Sequence, residues 1–220
     1  MMVAIDGPSG AGKSSCARLA AQTLGFVYID TGALYRAIGL AVRVAGASTK
    51  DETLVAACLP GIELRIQYIA GTQHVFWGNE DVSEAIRTPE SAMAASDVAK
   101  IPAVRAYLLG LQRELARAQN SIMDGRDIGT VVLPEADVKL FLTASPEERA
   151  KRRWLELKTK GLDEPFGKVL AEVTERDRQD TERALSPLRP AEDGILLDTT
   201  GMTQEEAVRA IVDIVKERQV

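Results

Sequence analysis

Residues 7–14 read Gly-Pro-Ser-Gly-Ala-Gly-Lys-Ser, a glycine and four free positions followed by Gly-Lys-Ser. Glycines let successive backbone N–H groups converge on an anion, lysine adds a positive charge, and a hydroxyl offers a ligand to a divalent ion. That set handles the terminal phosphates of a nucleoside triphosphate. Gly7, Pro8, Ser9, Gly10, Ala11 and Gly12 would form the cradle and Lys13 the neutralising charge. Ser14 or Ser15 is expected near Mg²⁺. Such a loop works only between a strand and a helix. The apolar run Met2-Val3-Ala4-Ile5-Asp6 predicts the strand, and Cys16, Leu19, Ala20, Thr23 and Leu24 recur at helical spacing behind it.

A triphosphate needs a phosphoryl acceptor or water, and the arginines suggest which. Arg36 follows a predicted strand in Asp30-Thr-Gly-Ala-Leu-Tyr-Arg, and Arg126 and Asp127 follow another in Asp124-Gly-Arg-Asp-Ile-Gly-Thr. Phosphoryl transfer is catalysed largely by positioned cations, so strand-end arginines joining Lys13 suit a kinase. Asp124, closing an apolar strand, can share the Mg²⁺ shell with the serine, directly or through water. Arg176, Asp180 and Arg183 fall at helical spacing on one expected face, and Arg149, Arg152 and Arg153 cluster on another helix. Between the two helices, Gly161 to Gly167 reads as a loop, which makes the charged pair a candidate lid that would exclude water from the transfer. A guanine-specific switch is disfavoured, because neither of the two asparagines, Asn79 and Asn120, is followed by lysine. His74, the single histidine, reads as structural.

These residues must be held by a scaffold, and 220 residues with 45% hydrophobic content suffice for one α/β domain over positions 1–220. Strands are expected at Val3 to Asp6, Phe26 to Ile29, Ser121 to Asp124, Val138 to Leu142 and Ile195 to Asp198, alternating with helices. The alternation implies a parallel five-stranded sheet, covered on both faces, of the P-loop NTPase type. Ile62 to Ile69 and His74 to Trp77, joined by Ala70-Gly71-Thr72-Gln73, read as a small antiparallel β insert spanning roughly 61–82. The helical lid with its flanking helices would span roughly 149–183. Thr88-Pro89 and Ser145-Pro146 announce helix starts, and Thr203 with Glu206 a capping box. A formal charge of -5 argues against a nucleic-acid partner. Cys16 and Cys58 lack metal spacing, and no leader or membrane-spanning run is read, so a cytoplasmic protein is expected.

Four segments in this order carry a resemblance: residues 7–13, 30–36, 124–132 and 175–183, supported by Ile86-Arg-Thr-Pro-Glu and Ala94-Ala-Ser-Asp-Val. Together with the β insert they resemble the bacterial cytidylate kinases nearly end to end. The resemblance implies transfer of a phosphoryl group from MgATP to CMP or dCMP by a monomer. It implies that Arg36, Arg126 and Arg176 bind the acceptor phosphate, and that Ser96, Arg105 and Asp127 read cytosine with support from Arg183. Asp180 with Arg176 would take the sugar hydroxyls, Tyr35 would line the pocket, and Thr31 and Gly125 belong to the same acceptor set. Arg149 would face ATP, while Arg152 and Arg153 would join Lys13 and Arg126 in catalysis. Gly12-Lys13-Ser14-Ser15 departs from the Gly-Lys-Gly-Thr of many relatives, and Thr31 stands where serine is frequent.

Overall fold

The computed structural model describes residues 1–159 and 161–219. Position 160, inside the expected lid, lies outside the described residues. The chain divides into two compact units, residues 1–27 with 119–220, and residues 28–118.

The first unit is built on β1 (Met2–Asp6), α1 (Lys13–Leu24), β6 (Ser121–Gly125), β7 (Val138–Thr143), α6 (Pro146–Thr159), α7 (Phe166–Glu182), β8 (Ile195–Asp198) and α8 (Gln204–Glu217). The five-stranded sheet runs β2-β6-β1-β7-β8, with β2 spanning Val27–Asp30. The pairings of β1 with β6 and β7, and of β7 with β8, are parallel. Val3, Ala4 and Ile5 are wholly buried, as expected of a central strand covered on both faces. The core face of α1 differs in detail from the spacing expected: Cys16, Ala17, Ala20 and Ala21 are buried, whereas Thr23 is exposed and its hydroxyl donates to the Leu19 carbonyl. Alanines allow α1 to lie close to β6 and α8. The capping box at Thr203 and Glu206 is formed, and Ser145 Oγ accepts from Glu148 N–H at the start of α6. Helix α7 opens at Phe166, so Gly167 lies within it.

The second unit holds α2 (Thr31–Val44), α3 (Glu52–Cys58), β3 (Leu64–Ile69), β4 (Thr72–Trp77), β5 (Glu80–Asp81), α4 (Pro89–Val98) and α5 (Pro102–Arg117). Its core gathers Leu34, Ile38, Val55, Val75, Val98 and Leu108. The expected four-residue turn is shorter. Ala70 and Gly71 both take positive φ (50° and 78°), the two-residue primed turn that matches strand twist, and Thr72 pairs with Ile69. Sequence reading missed β5, whose two residues are too few to show period two. His74 is paired with Asp81, Nδ1 lying 2.7 Å from Oδ2. Thr88 caps α4 through Ser91 N–H, with Pro89 at the first helical position.

Candidate functional site

In the first unit β1 and β6 lie side by side with Ile5 opposite Asp124 and Asp6 opposite Gly125. The loop 7–12 and the segment Gly125-Arg126-Asp127 therefore leave the sheet together at its carboxyl edge, where open α/β sheets bind ligands. Gly7 has φ 150° and packs so tightly that an added Cβ would sit 1.9 Å from the Leu142 carbonyl oxygen. Only glycine allows this path. The loop then delivers Lys13 as the first residue of α1, buried, its ammonium donating to the Pro8 carbonyl at 2.7 Å. Ser14, one residue on, donates from Oγ to Asp124 Oδ2 at 2.8 Å. Of the two candidate serines, Ser14 is thus the one held against the strand-end acid.

Charge is concentrated here and nearly excluded from water: Asp6, Lys13, Asp124 and Asp127 are each no more than 5% exposed. Buried charges persist only with partners. Burial, and then the neighbouring Arg126, push the Lys13 ammonium well below its usual range, while Asp124, Asp180 and Asp6 pull it back. Burial likewise raises the Asp6 carboxyl to about 6, against two hydrogen bonds that favour its ionised form. Those bonds come from Ile128 N–H to Oδ1 and Gly129 N–H to Oδ2, both at 2.7 Å. Asp6 thus ties the strand before the phosphate loop to the turn after Arg126 and Asp127. Sequence reading passed over it, although its signal was that of Asp124: an acid ending a buried apolar strand.

The arginines are arranged with acids. Arg126 Nε donates to Asp180 Oδ2 at 2.8 Å, joining β6 to α7. Burial alone would raise the Asp180 carboxyl, but Arg126, with Arg176 and Arg183, holds it below the usual range. Arg183 NH2 lies 3.4 Å from Asp127 Oδ1. It does so from the residue just past α7, with ψ 135°, so it does not continue the helical row of Arg176 and Asp180 as its spacing suggested. The chain turns away there, and Arg183 Nε donates to the Ser186 carbonyl at 2.5 Å.

On α6, Arg149 is buried and donates to the carbonyls of Ala144 and Ser9, both at 2.9 Å, and to Asp177 Oδ2 at 2.5 Å. Arg152 donates to the Ala11 carbonyl at 3.2 Å and to the Thr199 carbonyl at 2.8 Å. Both side chains therefore grip the back of the phosphate loop. Arg153 pairs instead with Glu156 at 2.9 Å on the helix surface. Asp177 and Thr199 were not singled out from sequence, since their partners Arg149 and Arg152 lie 28 and 47 residues away along the chain.

The second unit carries the remaining candidates. Asp30 caps α2, Oδ1 accepting from Ala33 N–H at 3.0 Å while Oδ2 accepts from Arg36 NH2 at 2.7 Å. Thr31, the first helical residue, is buried. The Arg105 guanidinium carbon lies 5.9 Å from the centre of the Tyr35 ring, within cation–π range. Ser96 Oγ donates to the Ala92 carbonyl at 3.2 Å on the half-buried face of α4.

A parallel sheet with a phosphate loop between β1 and α1, a strand-end acid against the loop's serine, and paired arginines beside them define a P-loop phosphotransferase. The particular family follows from comparison. The family model described as cytidylate kinase matches residues 3–217. A cytidylate kinase of Caldicellulosiruptor bescii is 49% identical over 212 residues, covering 96% of this chain and 94% of that one. One from Syntrophotalea carbinolica is 48% identical over 219 residues, covering 100% and 93%. The chain belongs to the cytidylate kinase family. Among solved structures, an uncharacterised protein of Eubacterium ventriosum shares the fold, with TM-score 0.53 and 11% identity over 98% of each chain.

Proposed function

We propose that this chain transfers the γ-phosphoryl group of ATP to CMP or dCMP, giving ADP and CDP or dCDP. The observation that carries this reading is the bond of Ser14, at the start of α1, to Asp124 on the neighbouring strand end, with the charges of Lys13 and Arg126 close by at the same edge of the sheet. Donor-side cations and an acceptor-side arginine thus share one edge of the sheet.

Residues 7–15, with Arg149 behind the loop, are the proposed ATP site. Among the described residues no group of three or more His, Cys, Asp or Glu could hold a metal ion. Ser14 and Asp124 supply two oxygens, a donor set that suits Mg²⁺, which takes few protein ligands and completes its shell with nucleotide phosphates and water. When bound, Mg²⁺ neutralises charge on the β- and γ-phosphates.

From the first unit we assign Arg126 and Arg176 to the acceptor phosphate and Asp180, with Arg176, to the sugar hydroxyls. Gly125 belongs to the same acceptor set, Asp127 accepts from the cytosine amino group, and Arg183 braces it. From the second unit we assign Arg36 to the phosphate, Ser96 and Arg105 to the cytosine acceptors, and Thr31 and Tyr35 to the pocket wall. The Arg126–Asp180 pair keeps the guanidinium in place before substrate arrives. Transfer is direct and in line, because positioning and charge stabilisation suffice. Lys13 and Arg126 carry most of that stabilisation, joined by Arg152 and Arg153 from α6.

A coupled assay across CMP, dCMP, UMP, AMP and shikimate tests the reading. CMP and dCMP are expected to give the highest kcat/KM. Preference for AMP or shikimate, or no transfer to any acceptor, overturns it. No helix among the described residues is long and apolar enough to cross a membrane. We place the protein in the cytoplasm as a monomer, which fractionation and gel filtration check.

A further inference from the structure

We infer that Gln73, on the small antiparallel sheet, is a positioning residue that sets the aim of Arg36 by clamping the backbone of Asp30; the inference rests on the proposed assignment of Arg36 to the acceptor phosphate. Gln73 and Val75 point to the same, buried face of β4, Gln73 being 9% exposed. The Gln73 amide meets Asp30 in both directions. Oε1 accepts from Asp30 N–H at 2.8 Å, and Nε2 donates to the Asp30 carbonyl at 3.2 Å. An amide is the side chain that can do this, since it presents a donor and an acceptor side by side.

Asp30 is where the clamp matters. It is the last residue of β2 and the cap of α2, with φ -83° and ψ 97°. Its two carboxylate oxygens have separate duties, one on Ala33 N–H and one on Arg36 NH2. Fixing the Asp30 peptide fixes the origin of both bonds, and hence the plane in which the Arg36 guanidinium lies. The fit is close: a Cβ on Gly32 would come 3.1 Å from Arg36 NH1 and 3.1 Å from Asp30 Oδ1. Arg36 Nε is buried and has no hydrogen-bond partner among the described residues. A buried guanidinium donor without an acceptor is costly, and a phosphate oxygen is the acceptor such a fork suits. Asp30 therefore holds one side of the fork, and Gln73 holds Asp30. The antiparallel sheet, otherwise remote in sequence from any phosphate-binding motif, supplies the device.

The test uses the full-length enzyme. Gln73→Met keeps the length and removes both hydrogen-bonding groups; Gln73→Ala serves as a second variant should the first fold poorly. We expect KM for CMP to rise about tenfold, the loss of one or two well-formed hydrogen bonds. KM for ATP, kcat and the inhibition constant of cytidine, which lacks the phosphate, should stay within about twofold. In an Arg36→Ala background, adding Gln73→Met should change KM for CMP no further, because the two residues act through one contact. An unchanged KM for CMP in both Gln73 variants, an equal weakening of cytidine, or full additivity with Arg36→Ala would overturn the inference. If Arg36→Ala alone leaves KM for CMP unaltered, the assignment of Arg36 itself fails and the inference with it.

Discussion

Ser14 Oγ and Asp124 Oδ2 are 2.8 Å apart, a hydrogen bond between the first turn of α1 and the end of β6. It joins two segments separated by 110 residues and puts an acidic oxygen beside the hydroxyl of the phosphate loop. Asp124→Asn keeps the shape and removes the charge. The Mg²⁺ concentration for half-maximal rate should rise about ten- to a hundredfold, as for other groups that orient a metal's ligands. Rate measured against Mg²⁺ at fixed ATP checks this, and an unchanged Mg²⁺ requirement would count against the assignment.

Arg126 holds Asp180 through Nε, and its proposed task is charge stabilisation at the transfer. Arg126→Ala should lower kcat by about a thousandfold, the low end for arginines acting on a transferring phosphoryl group. Circular dichroism should show the fold retained. Turnover near the wild-type rate would remove Arg126 from the mechanism.

Asp127 faces Arg183 and is buried. A buried acceptor matched to an amino group penalises a base that presents a carbonyl there. Asp127→Asn should therefore reduce the CMP-to-UMP ratio of kcat/KM by about tenfold or more, the cost of at least one specific hydrogen bond. The acceptor panel reads this directly. An unaltered ratio places base recognition elsewhere.

Asp6 supplies a pH test. Its carboxyl titrates ordinarily at 3.8 and, raised by burial, at about 6 in the folded protein. Between those values the folded state binds more protons than the unfolded chain, so the group's contribution to stability falls as pH rises through the window. The whole change is about 3 kcal/mol. Asp6→Asn cannot titrate. Urea unfolding at about pH 4 and pH 7 should show the variant gaining on wild type at the higher pH. A difference independent of pH contradicts the burial argument.

At Gly39, α2 and α4 pack tightly: a Cβ there would lie 2.8 Å from Ala94 Cβ. Gly39→Ala should destabilise the protein by about 1–3 kcal/mol through overpacking. Because α2 carries Tyr35 and Arg36 and α4 carries Ser96, KM for CMP should rise more than KM for ATP. Equilibrium unfolding and steady-state kinetics measure the two effects.

The linear chain determined the phosphate loop, the alternation of strand and helix, the helix starts at Thr88 and Thr203, and the family. Each is a short-range pattern of residue types, and local backbone chemistry suffices to read it. Tertiary structure decided which serine meets Asp124, because Ser14 and Ser15 are equivalent until α1 is docked beside β6. It turned Arg149 and Arg152 onto the back of the loop, where sequence gives only a helical row of positive charge. It took Arg183 out of the helical row of Arg176 and Asp180 and gave Asp6 and Gln73 their partners. Those contacts span 43 to 141 residues. Their partners are set by how strands are ordered and helices packed, and no spacing along the chain encodes that order.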